Sequence, residues 1–369
     1  MNKNRQSLLI IMIALFSVTF FGSALAAERE IKIPFYEAWV NSPHADFTSE
    51  AFAHWNEEDV KAVPESCAAC HSTTGHLDFL GADGSTMGKV DKVAPVEEGV
   101  ACVACHNQVA SNLEEISFPS SMVVERYEND ARCMDCHQGR SSGNAVRDMI
   151  AKVGASLDES NAEVKFLNIH YSAAAATRFG SEAGGGFEYD GKDYNGLQYH
   201  DDFATQCNDC HNPHTTEVKF DTCIECHDSV NSKEDIAFIR ESMGDFDADG
   251  DTKEGVKGEI EGLHTALYVA IQGYAKDVAG APIAYDSHAY PYFFNDSNGN
   301  GKVDDGEANF GNAYKSFTPR LAKAVYNYQF VAKDHGAYAH NAPYVIQLLS
   351  DSIQDLGEKV AVPKTSRPE

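Results

Sequence analysis

Residues 207 to 228 read CNDCHNPHTTEVKFDTCIECHD: two pairs of thiols, each followed at once by an imidazole, with another imidazole at His214. The same C-x-x-C-H arrangement occurs five times, as Cys67-Cys70-His71, Cys102-Cys105-His106, Cys133-Cys136-His137, Cys207-Cys210-His211 and Cys223-Cys226-His227, and it accounts for all ten cysteines. Two thiols at this spacing can add across the two vinyl groups of a haem. The next residue is then carried beneath the iron, where histidine is the usual proximal ligand. Zinc held by C-x-x-C pairs takes two pairs per Cys₄ ion and strands the fifth, and disulfides leave the five histidines without a purpose. Covalent haem is the chemistry these residues fit.

Of the 15 histidines, ten do not follow a thiol pair, and five of those would fill every sixth iron position. His211 takes the near face of its own haem, so His214, three residues on, is better placed to reach a neighbouring iron and tie two haems together. The other candidates are His44 in WVNSPHAD, His170 in NIHYSAAAATRFG, His200 in LQYHDDF and His340 in YAHNAPYVIQLLSDSI. His54 is the runner-up; His76, His264, His288 and His335 are read as ordinary side chains.

The five C-x-x-C-H units, the W-x-x-S-P-H-A entry, C-H-N-P-H and a late H-N before a Leu-rich helix resemble the multihaem c-type cytochromes of bacterial respiration. The resemblance covers most of residues 35 to 356 and implies bis-histidine haems in an exported electron carrier. It implies distal ligation by His44, His214 and His340, and we extend that expectation to His170 and His200. Paired histidines hold iron at lower potential than Met/His ligation, and acidic surroundings push the same way.

The elements that must position these groups are unevenly distributed. Residues 1 to 26 carry Lys3 and Arg5, an apolar run from Leu8 to Phe21 and a small-residue cleavage site at Ala24-Leu25-Ala26, the pattern of a secretory signal peptide. No later stretch approaches 18 apolar residues, so no membrane span is expected after cleavage. Without the leader the 29 basic residues lose two against 56 acidic ones, which takes the formal net charge from −27 to −29. Such a surface repels nucleic acid and anionic lipid and favours basic partners. The expected destination is the periplasm or the cell exterior.

From 27 to 230 there is little sustained periodicity, as expected of a pentahaem domain whose interior is largely porphyrin. GFEYDGKDYNGLQY, 186 to 199, reads as a small hairpin, and SEAGGG before it as a flexible or close-approach loop. From 231 to 369 the pattern turns helical, with amphipathic segments near 258 to 277, from Thr318-Pro319 to about Lys333, and from about Ala342 to Leu356 with Gly357 as a stop. The expected fold class is mainly α with much irregular structure: a haem-packed region, then a helical domain that delivers His340 into it.

Between those helices DSNGNGKVDDGE matches a twelve-residue EF-hand calcium loop. Asp296, Asn298, Asn300, Asp304 and Glu307 stand at positions 1, 3, 5, 9 and 12, Gly301 at 6, and Lys302 at 7, where the loop uses a backbone carbonyl. DFDADGDTKEGV offers Asp245, Asp247, Asp249 and Asp251 but ends on Val256 where glutamate is expected. Calcium is expected there as a structural ion.

The leading expectation is an electron carrier between a respiratory donor and an extracytoplasmic acceptor, through redox partner proteins that the sequence does not name. Two rivals stand beside it. One is an oxidoreductase with one open iron acting on a small nitrogen or sulfur compound; no C-x-x-C-K unit occurs, so the ligation typical of pentahaem nitrite reductases is missing. The other is self-assembly into a haem filament with a distal histidine shared between subunits.

Overall fold

The computed structural model describes residues 32–125, 129–200 and 205–369. The leader expected at 1 to 26 lies outside them. Residues 37–369 form one compact unit, which carries every candidate ligand.

The chain is largely helical, with long irregular stretches and little sheet. The described sheet consists of two-stranded antiparallel ribbons: Ala62–Val63 with Ala94–Pro95, Glu115–Ser117 with Val123–Glu125, and Ile283–Tyr285 with Phe293–Asn295. Among the described residues no helix is long and apolar enough to cross a membrane.

Three long helices make the mass of the core. Val256–Asp277 buries Ile260, Leu263, Leu267, Ala270, Ile271 and Tyr274, the stripe that its three-and-four spacing predicts. Pro319–Ala332 begins at Thr318, whose hydroxyl accepts from the Leu321 N–H, with Pro319 in the first turn where its missing N–H costs nothing. Ala342–Gly357 buries Val345, Leu348, Leu349, Ile353 and Leu356 and is capped by Asn341, whose side chain accepts from Tyr344 N. Gly357 is the last helical residue, as a stop would be.

The same apolar core continues into Ile116, Phe118, Met134, Ile169, Phe179 and Phe187, so it reaches across the boundary expected at 230. Arg320, nearly buried, joins Asp158 at 2.7 Å, Asp355 at 2.5 Å and Glu358 at 2.8 Å, which ties an irregular loop to two of the helices.

The expected hairpin at 186 to 199 is not a ladder. Its backbone is spent on the helices instead: Gly186 N donates to Tyr344 Oη, Phe187 N to Asn327 Oδ1, and Asn327 Nδ2 donates back to Phe187 O. Tyr194 Oη reaches Asp351 at 2.6 Å. Once these groups are satisfied from the core, strand pairing has nothing to add. The glycines before it are there for close approach: a Cβ on Gly186 would stand 2.3 Å from Leu348 Cδ1.

Candidate functional site

Each thiol pair sits on or beside a short helix: Glu65–His71, Cys102–Cys105, Asp130–His137, Cys207–Cys210 and Phe220–Ile224. One helical turn puts residues i and i+3 on one face with i+4 beside them, which is how two thiols and an imidazole come to address the same plane. The helices are pinned individually. Arg178 pairs with Asp130 at 2.9 Å, and Asp130 in turn accepts from Cys207 N at 2.7 Å, so one buried ion pair holds the third and fourth units together. Glu98 accepts from Ser72 Oγ, Thr74 N and Thr74 Oγ1 between the first and second units.

The five histidines that follow thiol pairs each face one of the five histidines expected opposite them. Ring centroids lie 5.7 Å apart for His71 and His170, 6.1 Å for His106 and His214, 6.4 Å for His137 and His44, 6.3 Å for His211 and His340, and 6.0 Å for His227 and His200. The pairing interleaves the chain: His44 precedes the first unit but meets the third, and His214 meets the second unit and not the fourth, where His211 belongs. A metal–imidazole bond of about 2 Å on either side separates two trans nitrogens by roughly 4 Å. His71 Nε2 and His170 Nε2 are 3.4 Å apart. The arrangement therefore fits an iron between each pair of rings.

The rings are also oriented from behind. His71 Nδ1 donates to Ala51 O at 2.7 Å, His137 Nδ1 to Ser172 O at 2.9 Å, and His340 Nδ1 to the carboxylate of Asp334 at 2.8 Å. Such contacts fix the tautomer and leave the other nitrogen as a lone-pair donor. Burial, with repulsion from His137, pushes His44 down to about 4, and burial, with repulsion from His71, does the same to His170. Both are neutral near pH 7, the form that ligates metal. His170 also sits at φ 79°, a left-handed conformation rare for a residue with a Cβ, held by Asn168 Oδ1 accepting from its N–H.

The attachment sites adjoin. Cys70 lies beside Cys136, and Cys133 beside Cys207, so the first, third and fourth units run together. The remaining histidines face no proximal imidazole, though His76 Nδ1 lies 3.9 Å from Cys136 Sγ in the third unit. His54 pairs with Glu50 at 2.7 Å on the surface, His76 Nδ1 donates to Ala69 O, His264 lies on Tyr328, and His288 is exposed beside Asp286.

The two acidic loops differ from the pattern of a helix, a loop and a helix. Asp296 to Glu307 runs from the Phe293–Asn295 strand to a 3-10 turn at Phe310–Asn312, and its carboxylates serve its own backbone: Asp296 accepts from Gly299, Asn300 and Gly301 N–H, and Glu307 from Ser297 and Asp304 N–H. Asn298 and Asn300 both donate to Asp304. In the earlier loop, oxygens of Asp245, Asp247 and Glu259 lie within 4.8 Å of one another, as do those of Asp247, Asp249 and Glu254. Burial and the neighbouring Asp247 and Glu259 push Glu254 up to about 7. Sequence reading missed Glu254 and Glu259. Glu259 was invisible because it enters from the first turn of the next helix, three residues past the expected end of the loop, with Arg240 2.8 Å from its Oε1. Asp334 was missed because nothing in the pattern marks it.

Residues 34–107 match the family described as Cytochrome c554 and c-prime. The C-type polyheme cytochrome OmcC of Geobacter sulfurreducens is 25% identical over 366 residues, covering 84% of this chain and 44% of that protein. The C-type polyheme cytochrome OmcB of the same species, in either of two strains, is 24% identical over 384 residues, covering 86% of this chain and 47% of its own length. The chain thus spans less than half the length of these curated relatives. No solved structure matches it. These similarities support a multihaem c-type cytochrome, a class of electron-transfer protein with covalently bound haem.

Proposed function

We propose that the chain is an exported pentahaem cytochrome whose irons are all held between two histidines, and that it passes electrons between a respiratory donor and an extracytoplasmic acceptor. The observation that carries this reading is the one-to-one pairing of five proximal with five distal imidazoles at 5.7 to 6.4 Å. Each pair would be His71 with His170, His106 with His214, His137 with His44, His211 with His340 and His227 with His200, with the ten cysteines as thioether anchors. The haem would supply the one-electron change; the chain supplies spacing, axial ligand and burial. Adjoining thiols of the first, third and fourth units support a continuous relay. The acidic surface, at −29 without the leader, suits basic redox partners and delivery to the periplasm or the cell exterior.

Calcium is proposed for the acidic loops, through Asp245, Asp247, Asp249, Glu254 and Glu259 in the first and Asp296, Asn298, Asn300, Asp304 and Glu307 in the second. Its role would be to neutralise crowded carboxylates.

Purified protein is expected to contain five haems by pyridine haemochrome assay, with all five irons low-spin by low-temperature EPR, and calcium that leaves on treatment with a chelator. Fewer than five haems, or about one high-spin iron in five, would overturn the bis-histidine reading and favour an open catalytic site. An untreated protein free of calcium would remove the second proposal and leave the first intact.

A further inference from the structure

The fourth pair of imidazoles has a buried carboxylate at hydrogen-bond distance behind it; in the fifth pair His227 Nδ1 also lies 3.6 Å from a carboxylate, but that of Glu241 is 83% exposed. His71 and His137 donate to the neutral carbonyls of Ala51 and Ser172, and His211 donates to the Thr216 carbonyl. His340 donates to a carboxylate. Asp334 follows the Pro319–Ala332 helix, its side chain is 4% exposed, and its two oxygens lie 2.9 and 2.8 Å from His340 Nδ1. The same carboxylate accepts from Gly336 N at 3.0 Å and from the Thr177 hydroxyl. The ring is confined from the other side too: a Cβ on Gly336 would stand 2.6 Å from His340 Cε1, so the imidazole rests on bare backbone.

A carboxylate behind a ligating histidine draws on the Nδ1 proton and makes the opposite nitrogen more basic. A more basic axial ligand favours ferric over ferrous iron, and a buried negative charge nearby acts in the same direction. We propose that Asp334 is a positioning residue that lowers the reduction potential of the haem held between His211 and His340, relative to the same ligand pair backed by a neutral group. The inference rests on His340 being an axial ligand, as proposed above.

The test is Asp334→Asn in the full haem-loaded protein, an isosteric change that still accepts from Nδ1 but carries no charge. In a spectroelectrochemical titration one of the five haems should become easier to reduce by about tenfold in its oxidised-to-reduced ratio, ~59 mV for one electron, while the rest hold their positions. Asp334→Glu should return that haem toward its original potential. Five low-spin irons with an unchanged titration curve in Asp334→Asn would overturn the proposal while leaving the ligand assignment standing. His340→Ala separates the two failures: if it leaves every iron low-spin, His340 is not a ligand and both readings fall. Should Asp334→Asn not fold, the unaltered protein still decides. At least one low-spin ferric EPR signal should show the compressed g-spread of a histidine with imidazolate character, and its absence overturns the proposal.

Discussion

The first two attachment units and the three long helices are ordered by opposite means. Between residues 37 and 107 the buried apolar cluster amounts to Val63, Ala68, Val90 and Ala94. Order there comes from polar pins: Trp39 Nε1 donates to Val100 O, Val100 N to His44 O, and Thr73 Oγ1 to Gly99 O. Helices of four to seven residues cannot sustain themselves, since nucleation alone costs more than one turn returns. The 256–277, 319–332 and 342–357 helices instead bury Leu263, Leu267, Ile271, Leu321, Tyr326, Tyr344 and Leu349 almost completely. One region needs a cofactor to supply its interior; the other brings its own.

The sharpest way to break that contrast is to withhold haem. Protein made without haem attachment should lose amide protection throughout 37–107 while the long helices keep slow exchange, read by hydrogen exchange with mass spectrometry. Equal loss in both regions would show that the helical core also depends on the cofactor. The converse change is Leu267→Ala, which opens a cavity between the helices and should cost about 2–5 kcal/mol by denaturant titration of the haem-loaded protein. The haem absorption spectrum should not change, because Leu267 belongs to the apolar core of the long helices.

The same contrast explains what could be read from the sequence. The three long helices were legible because their apolar residues repeat at three and four and their caps, Thr318 and Asn341, are of the usual types. The thiol pairs were legible because haem attachment fixes their spacing. The partner of each imidazole was not: His44 meeting His137 and His170 meeting His71 depend on how the chain folds around groups that have no letters in the sequence. The 186–199 segment misled because alternating aromatics signal a strand only when the backbone has no better partner, and here Asn327 and Tyr344 supply one. Glu259 is brought to Asp245 and Asp247, and Asp334 to His340, at spacings no loop pattern contains.

A milder perturbation than cavity or cofactor acts on the helical region through protons. His264, on the 256–277 helix, lies 3.9 Å from the Tyr328 ring centroid and donates from Nε2 to Tyr328 O at 2.8 Å. Burial pushes it down to about 4, so it stays neutral in the native state while an unfolded chain takes up a proton near 6.5. Above pH 6.5 neither state is protonated there and the residue contributes its full stability. Between 6.5 and about 4 the unfolded state binds the extra proton, and stability falls by up to roughly 3 kcal/mol. His264→Phe keeps the ring stack, gives up the hydrogen bond and cannot titrate. Its deficit against the parent, followed by helix circular dichroism in denaturant, should therefore shrink as pH drops from 7 toward 4. A gap that stays constant over that range would mean that His264 is free to take up its proton in the folded protein, and that the helices are not as closed around it as the core of Leu263, Leu267 and Tyr274 implies.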